Sequence, residues 1–280
     1  MKDLLGGKGA NLAEMTSLGL PVPAGFTITT TACVQFLKQE NYFEQNLKKD
    51  ILEAIHQLEN ETGKSFLTNE PILLVSVRSG AKFSMPGMMD TILNLGLNDI
   101  KVKAFAKLTD SSFAYDCYRR LIQMFGDVVY GIAKESFDKI LAKYEASFSK
   151  NATDFSIIEQ ERVIEAYKDL YYIQQKEFPQ DPIEQLFIAI KAVFHSWENP
   201  RAKVYRQLHD IPFNLGTAVN IQTMVFGNSG EESATGVAFT RNPATGEKKL
   251  FGEFLRNAQG EDVVAGIRTP QPLSELKKLQ

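Results

Sequence analysis

The sequence predicts an α+β protein whose middle segment is almost wholly helical. Towards both ends, short apolar runs bounded by Gly, Asn, Ser and Pro indicate strands. Between residues 98 and 210, apolar residues instead recur every three or four positions, which is typical of amphipathic helices. The two patterns divide the chain into a mixed segment 1–97, a helical segment 98–210 and a strand-rich segment 211–280.

The composition is that of an ordinary globular protein. Of the 280 residues, 44% are hydrophobic and 23% are charged, and the net charge of −3 indicates no general affinity for nucleic acid or membrane surfaces. No apolar run approaches the ~20 residues that span a bilayer, and the first residues lack the apolar core of a signal peptide. Two reduced, partly buried thiols at Cys33 and Cys117 are favoured over a disulfide. We therefore expect a cytoplasmic protein.

In the first segment, helical and strand patterns alternate. Apolar spacing predicts helices over 8–17 and 46–61. Strand patterns fall at 25–30, 72–78 and 91–96. The last two strands bracket a Met-Pro-Gly-Met-Met loop.

The middle segment and the last segment differ in the spacing of their apolar residues. The predicted helices of the middle segment cover 114–129, 137–148, 157–178 and 181–208. Asp181 followed by Pro182 is a strong helix start, because it combines an N-cap with proline at the first helical position. The predicted strands of the last segment are 217–226, 236–241 and 249–255, and a helix begins at residue 273.

A glycine-rich stretch, Gly6-Gly7-Lys8-Gly9, opens the first predicted helix. Glycines let backbone N–H groups approach an anion, and the helix presents its positive N-terminal end. The spacing is not the G-x-x-x-x-G-K-[ST] of a Walker A loop. Two interpretations stay open: a phosphate cradle, or a glycine-rich turn with a solvated lysine.

Three arginines also have two possible interpretations, as ligand-binding or as structural residues. Arg78 ends the strand at 72–78, where its guanidinium could bind phosphate oxygens in a bidentate manner or form a structural ion pair. Arg119 and Arg120 lie in a predicted helix, where a solvated or ion-paired face is favoured over a role in binding.

The loop Ser-Met-Pro-Gly-Met-Met-Asp-Thr at 84–91 is rich in methionine. Methionines ordinarily fill irregular gaps in a core. With Pro86 and Gly87 between them, they also suit a shaped loop that covers bound phosphates, and Thr91 offers a hydroxyl group.

Towards the end of the chain, two groups could face a nucleotide. Gln222, Met224 and Val225 lie in a predicted strand whose backbone could meet the rim of an adenine ring, although a plain core strand is the simpler interpretation. Glu253 and Glu261 lie near glycines, where they would bind ribose hydroxyls, help to hold Mg²⁺, or remain exposed turn acids.

The histidines are His56, His195 and His209, which lie in or at the ends of predicted helices. None has the neighbouring Thr-Ser-His loop of a carrier histidine, so all three are interpreted as structural. Trp197 is likewise interpreted as a helix-packing residue.

Several long stretches resemble the pyruvate, phosphate dikinases. These stretches are residues 4–15, 77–81, 84–96, 236–243 and 257–270. The resemblance covers essentially the whole chain. The Met-Pro-Gly-Met-Met loop favours this family over its sister family, the phosphoenolpyruvate synthases.

The resemblance implies a partial ATP-grasp-like fold that holds ATP between two α+β lobes, the first at 1–97 and the second at 211–280. It implies that this region binds ATP with Mg²⁺ and phosphorylates a histidine on a separate domain. Inorganic phosphate takes one phosphoryl group, which gives AMP and diphosphate. A further domain converts pyruvate to phosphoenolpyruvate, and full-length members of the family are expected to be homo-oligomers.

The resemblance also implies roles for particular residues. Lys8 and Arg78 would neutralise the transferring phosphates. The phosphate-covering loop would contain Gly87, Met88, Met89 and Thr91. The adenine pocket would be lined by Gln222, Met224 and Val225, while Glu253 and Glu261 would face the ribose and the triphosphate.

The chain also departs from the family pattern. Ala234 stands where the family usually has glycine. The Asp-x-Glu and Gln-Thr-Arg segments, which supply metal ligands and another arginine, are expected beyond residue 280. The chain alone is therefore expected not to complete the reaction. The alternatives are a non-catalytic nucleotide- or partner-binding protein, and a phosphoenolpyruvate synthase.

Overall fold

The chain divides into two compact units, Met1–Met224 and Val225–Gln280. The structure is a computed structural model that describes residues 1–85, 87–264 and 268–278. The sequence places the start of the last segment at residue 211, whereas the boundary between the units falls after Met224. The difference arises because the strand at Ala218–Thr223 pairs with strands from the N-terminal part of the chain.

Strands and helices alternate at the start of the first unit. Its strands are β1 (Gly25–Ile28), β2 (Val75–Gly80), β3 (Thr91–Leu95) and β4 (Ala218–Thr223). Its α-helices are α1 (Lys2–Ser17), α2 (Thr30–Lys38), α3 (Gln45–Thr62), α4 (Lys101–Leu108), α5 (Ser111–Tyr130), α6 (Lys134–Phe148), α7 (Ile157–Ile173), α8 (Pro182–Ser196) and α9 (Pro200–Leu208). The predicted mixture of helix and strand, with a helical middle segment, is confirmed.

The four strands form an antiparallel sheet in the order β1-β4-β2-β3. In this order β4, which lies far along the chain, separates two N-terminal strands. The register places Arg78 of β2 between Thr91 of β3 and Asn220 of β4. Because directly opposite residues in a sheet lie close together, three polar side chains meet at this point.

Helices cover the sheet and build most of the core. Helix α5 packs against β3, α8 packs against β2, β3 and β4, and α7 packs against α5. Aromatic side chains fill the space between these helices, with edge-to-face contacts such as Phe137 with Tyr167 and Phe125 with Phe178. Each such pair contributes about 0.5–1.5 kcal/mol beyond the apolar area that it buries. Cys33 and Cys117 are thiols within this buried part.

Local sequence signals explain where the helices begin and end. The side chain of Asp181 accepts a hydrogen bond from the backbone N–H of Ile183 at 2.8 Å, so the predicted cap of α8 is confirmed. The prediction of one helix over 181–208 is wrong, because the structure has two helices that meet at Asn199 and Pro200. Steric conflict with the proline ring keeps the preceding residue out of the helical conformation, and Asn199 accordingly has ψ 142°.

The second unit is built around a small antiparallel sheet. Strand β5 (Ala234–Phe239) pairs with β6 (Phe251–Arg256), and β6 pairs with β7 (Gln271–Pro272). A short helix, α10 (Gly260–Val264), follows β6, and a 3₁₀ helix covers Leu273–Lys278. The predicted strands of the last segment are therefore present, although Gly236 lies inside β5 rather than at its start.

Across the residues that the structure describes, none of the helices is both long enough and apolar enough to cross a membrane.

Candidate functional site

The glycine-rich stretch at the start of α1 turns against the end of β2. Gly6 interrupts the helix with φ 67° and ψ 178°, a conformation open almost only to glycine. A Cβ atom on Gly6 would lie 1.5 Å from the carbonyl oxygen of Gly80. The N–H of Gly7 donates to the carbonyl oxygen of Ala81 at 2.9 Å. The two backbones therefore approach so closely that only glycine fits.

This close approach brings Lys8 to Arg78. The Nζ atom of Lys8 donates a hydrogen bond to the carbonyl oxygen of Ser79, the residue after Arg78, at 2.8 Å. The side chain of Lys8 is exposed overall, but protein surrounds its ammonium end. Desolvation, together with the positive charge of Arg78, lowers the pKa of Lys8 to about 8.

Within the described part of the chain, neither Lys8 nor Arg78 forms an ion pair with a carboxylate. The structural ion pair considered for Arg78 is therefore not found among these residues. Two cations that lie together without a counter-charge repel each other, and an anion placed between them would relieve this repulsion.

The loop between β2 and β3 packs against α8 and α9. Met85 is buried in a cluster with Trp197 and Ile211, and the half-buried Met88 and Met89 pack on the same cluster. Core filling, which is the ordinary role of methionine, thus accounts for Met85. Gly87 is exposed, with φ 71°, and no atom lies within 4 Å of the position of an added Cβ.

An ion pair fixes the far end of this loop. Arg201 Nη2 lies 2.7 Å from Asp90 Oδ1, and the side-chain amide of Asn199 donates to Asp90 Oδ2 at 3.5 Å. Burial raises the pKa of Asp90, while Arg201 and Asn199 oppose this rise. Neither partner could be predicted from the sequence, because no local signal connects the start of α9 to a loop more than 100 residues earlier.

Removing Arg201 is expected to cost more than removing the charge of Asp90. Arg201→Met leaves a mostly buried carboxylate without its cation, so we expect a loss of about 1–2 kcal/mol in the free energy of unfolding. Asp90→Asn removes the charge along with its need for a partner, and we expect a loss below about 0.5 kcal/mol. Urea unfolding measures both values.

The Asp90→Asn/Arg201→Met double variant provides the control, and it should be more stable than Arg201→Met alone. Equal losses in the two single variants would show that this ion pair does not hold the loop.

The residues predicted at the adenine ring lie at the end of β4. Gln222 is buried, and its side-chain amide donates to the carbonyl oxygen of Pro23 at 3.1 Å. The backbone N–H of Met224 donates to the carbonyl oxygen of Leu74 at 2.9 Å. Val225 begins the second unit and is 72% exposed. The contact of these residues with adenine stays a prediction.

The predicted acidic residues belong to the second unit. Glu253 is exposed on β6, opposite Val237 of β5. Glu261 lies in α10, and its side chain falls outside what the structure describes. No group of three or more His, Cys, Asp or Glu side chains that could hold a metal ion occurs among the described residues.

The other candidate side chains have structural partners. Arg119 and Arg120 both pair with Asp116; burial raises the pKa of this carboxyl group, but the two arginines outweigh that effect and lower it. His56 contacts Glu59, His195 contacts the ring of Phe36, and His209 contacts the ring of Tyr205. The indole N–H of Trp197 donates to the carbonyl oxygen of Phe213 at 3.0 Å.

These observations define an α+β protein with a glycine-lined, doubly cationic site that suits an anionic ligand. The model of the family described as "Pyruvate phosphate dikinase, AMP/ATP-binding domain" matches residues 2–46 and 40–279. The chain therefore belongs to this family.

Curated relatives match nearly the whole chain. Pyruvate, phosphate dikinase of Clostridium symbiosum is 57% identical over 99% of this chain and 32% of its own length. The enzyme of Rhizobium meliloti (strain 1021) is 56% identical over 99% of this chain and 31% of its own length. Pyruvate, phosphate dikinase 1, chloroplastic, of Arabidopsis thaliana is 54% identical over 99% of this chain and 29% of its own length. The chain thus spans about a third of the length of these relatives.

Proposed function

We propose that the chain binds ATP and that Lys8 and Arg78 neutralise its phosphates during phosphoryl transfer. The observation that carries this proposal is the pair of neighbouring cations, which has no carboxylate partner among the described residues and lies against a glycine turn. Phosphoryl transfer depends mainly on positioning and on charge stabilisation. Two neighbouring cations, of which Lys8 is held by a hydrogen bond to the backbone, would supply both, and membership of the family makes ATP the expected anion.

We propose that the remaining predicted residues also contact ATP. Thr91 lies beside Arg78 in the sheet, where its hydroxyl group would bind a phosphate oxygen. The loop residues Gly87, Met88 and Met89 would cover the phosphates. Gln222, Met224 and Val225 would contact adenine, and Glu253 and Glu261 would contact the ribose and the triphosphate. We also propose that the fold is of the ATP-grasp type, which the antiparallel sheet and the family support.

We propose that Mg²⁺ takes part as an ion bound to ATP. The described residues provide no cluster of ligands for it, so the charge stabilisation attributed to this chain comes from Lys8 and Arg78. A Mg²⁺ ion bound to the triphosphate would supply further charge neutralisation.

We propose that the complete reaction needs further domains. We propose that the phosphoryl acceptor is a histidine on a separate domain and that pyruvate is converted to phosphoenolpyruvate on a further domain. Two observations support this: the chain matches only about a third of relatives that are named pyruvate, phosphate dikinase, and its own histidines have structural contacts.

Calorimetric titration of the 280-residue chain with Mg-ATP tests the binding proposal. The wild-type chain should bind, and Lys8→Met should bind about ten-fold more weakly, since a hydrogen bond to a charged group contributes roughly 1.5–3 kcal/mol. Arg162→Met, which removes an exposed cation from α7, is the control and should bind like the wild type. Equal affinities for the wild-type and Lys8→Met chains would refute the proposed role of Lys8.

The pH dependence of ATP affinity provides a second test. Lys8 carries its proton below its pKa of about 8 and loses it above. Because only the protonated form attracts phosphate, affinity should fall by up to about ten-fold between pH 7 and pH 9. Bound ATP should in turn raise the pKa of Lys8. The Lys8→Met variant should lose most of this pH dependence, and a wild-type affinity that does not change with pH would contradict the assignment.

A further inference from the structure

Asn220 is a buried polar residue directly beneath the site. It lies in β4, opposite Thr27 of β1 and Arg78 of β2, and it is 1% exposed. Its side-chain Oδ1 accepts a hydrogen bond from the hydroxyl group of Thr27 at 3.0 Å. Neither the motifs of the sequence nor the proposed function gives this residue a role.

The amide group of Asn220 lies against the backbone next to Lys8 and against the backbone next to Ser79. A Cβ atom on Gly9, the residue after Lys8, would lie 2.9 Å from Asn220 Oδ1. A Cβ atom on Gly80, which follows the Ser79 carbonyl that accepts from Lys8, would lie 2.3 Å from Asn220 Nδ2. One side chain therefore fills the space between helix α1 and the end of β2.

Folding alone does not favour an asparagine here. Its Nδ2 atom is buried and has no hydrogen-bond partner among the residues that the structure describes. A buried donor without a partner destabilises a protein, and an apolar side chain at a central strand position would avoid this cost. Such exceptions to local preference are expected where a residue serves a function.

We propose that Asn220 is a positioning residue that holds the backbone of Lys8 against β2, so that the ammonium group lies beside Arg78. The proposal rests on the binding function proposed above. The amide of Asn220, anchored by Thr27, sets how closely Gly9 and Gly80 approach each other. This spacing directs Lys8 Nζ to the carbonyl oxygen of Ser79.

A double-mutant cycle with ATP as the ligand tests the connection through Lys8. Asn220→Ala should weaken ATP binding about ten-fold in the wild-type chain, but less than about two-fold when Lys8→Met is already present. Asn94→Ala is a matched control: Asn94 is also a buried asparagine of this sheet with one unpartnered amide atom among the described residues. It should lower stability without changing ATP affinity. Equal weakening by Asn220→Ala in both backgrounds would overturn the proposal.

A second measurement needs no nucleotide. NMR titration of lysine side chains labelled with ¹³C at Cε reports the pKa of Lys8, whose signal is identified by its loss in Lys8→Met. In Asn220→Ala the pKa should rise from about 8 towards the ordinary lysine value of about 10.4. An unchanged value would overturn the proposal. If the wild-type chain does not bind ATP at all, the proposed function fails, while this titration still decides the role of Asn220.

The Thr27→Val variant tests the same proposal if the Asn220→Ala chain does not fold. This variant keeps the shape of the side chain and removes only the hydrogen bond to Asn220. It should move ATP affinity and the pKa of Lys8 in the same directions by smaller amounts. If both values stay at those of the wild type, Asn220 does not position Lys8.

Discussion

An Arg78→Met chain is expected to bind ATP at least about ten-fold more weakly than the wild type. A guanidinium group forms paired, charge-assisted hydrogen bonds to phosphate oxygens, and each hydrogen bond to a charged group contributes roughly 1.5–3 kcal/mol. Arg78 has no carboxylate partner among the described residues, so its removal should leave the fold itself little changed. Calorimetry measures the affinity, and thermal unfolding measures the stability.

Arg78→Lys separates charge from geometry. Lysine keeps the positive charge but lacks the planar, bidentate group of arginine, so its affinity should lie between those of the wild type and Arg78→Met. Loss of affinity with a parallel loss of stability would show that Arg78 supports the fold rather than the ligand. Unchanged affinity in Arg78→Met would exclude Arg78 from the site.

A Gly6→Ala substitution is expected to destabilise the chain by about 3 kcal/mol or more. Two costs combine: Gly6 has a conformation that is open almost only to glycine, and the added Cβ would lie 1.5 Å from the carbonyl oxygen of Gly80. The start of α1 would have to move away from β2. Urea unfolding, with the same slope assumed for both chains, gives the free-energy difference.

Gly63→Ala is the matched control, because Gly63 also has a positive φ of 63° but no atom lies within 4 Å of an added Cβ. It bears only the cost of a left-handed conformation, about 1 kcal/mol. A similar loss of unfolding free energy in the two variants would mean that α1 can move away from β2 without further loss of stability. Gly6 would then not hold Lys8 in place.

The cap of α8 could be predicted, and Lys8 and Arg78 could be proposed as site residues, because each depends on a local signal. A lysine within a glycine run and an arginine at the end of an apolar strand are visible in a few consecutive residues. The Asp181–Pro182 start of α8 is equally local, and the structure confirms it. The strand and helix patterns likewise depend on near neighbours, which explains why the α+β class could be predicted.

Features that depend on distant parts of the chain were not predictable in this way. The place of β4 between β1 and β2 follows from pairing across more than 130 residues, and so does the position of Asn220 beneath Lys8. The packing of the methionine loop was not predictable either, because its partners Trp197 and Ile211 lie just after α8 and just after α9. The boundary at Met224 follows from the same long-range pairing.

The lowered pKa of Lys8 also makes its side chain a nucleophile. At pH 7.5, a lysine whose pKa is about 8 carries a free amine in roughly a quarter of the molecules, whereas an ordinary lysine does so in roughly one in a thousand. Acylating reagents should therefore react faster with Lys8 than with an ordinary lysine. The lysine that completes the doubly cationic site is thereby also a reactive amine, and any anion that occupies the turn should protect it from acylation.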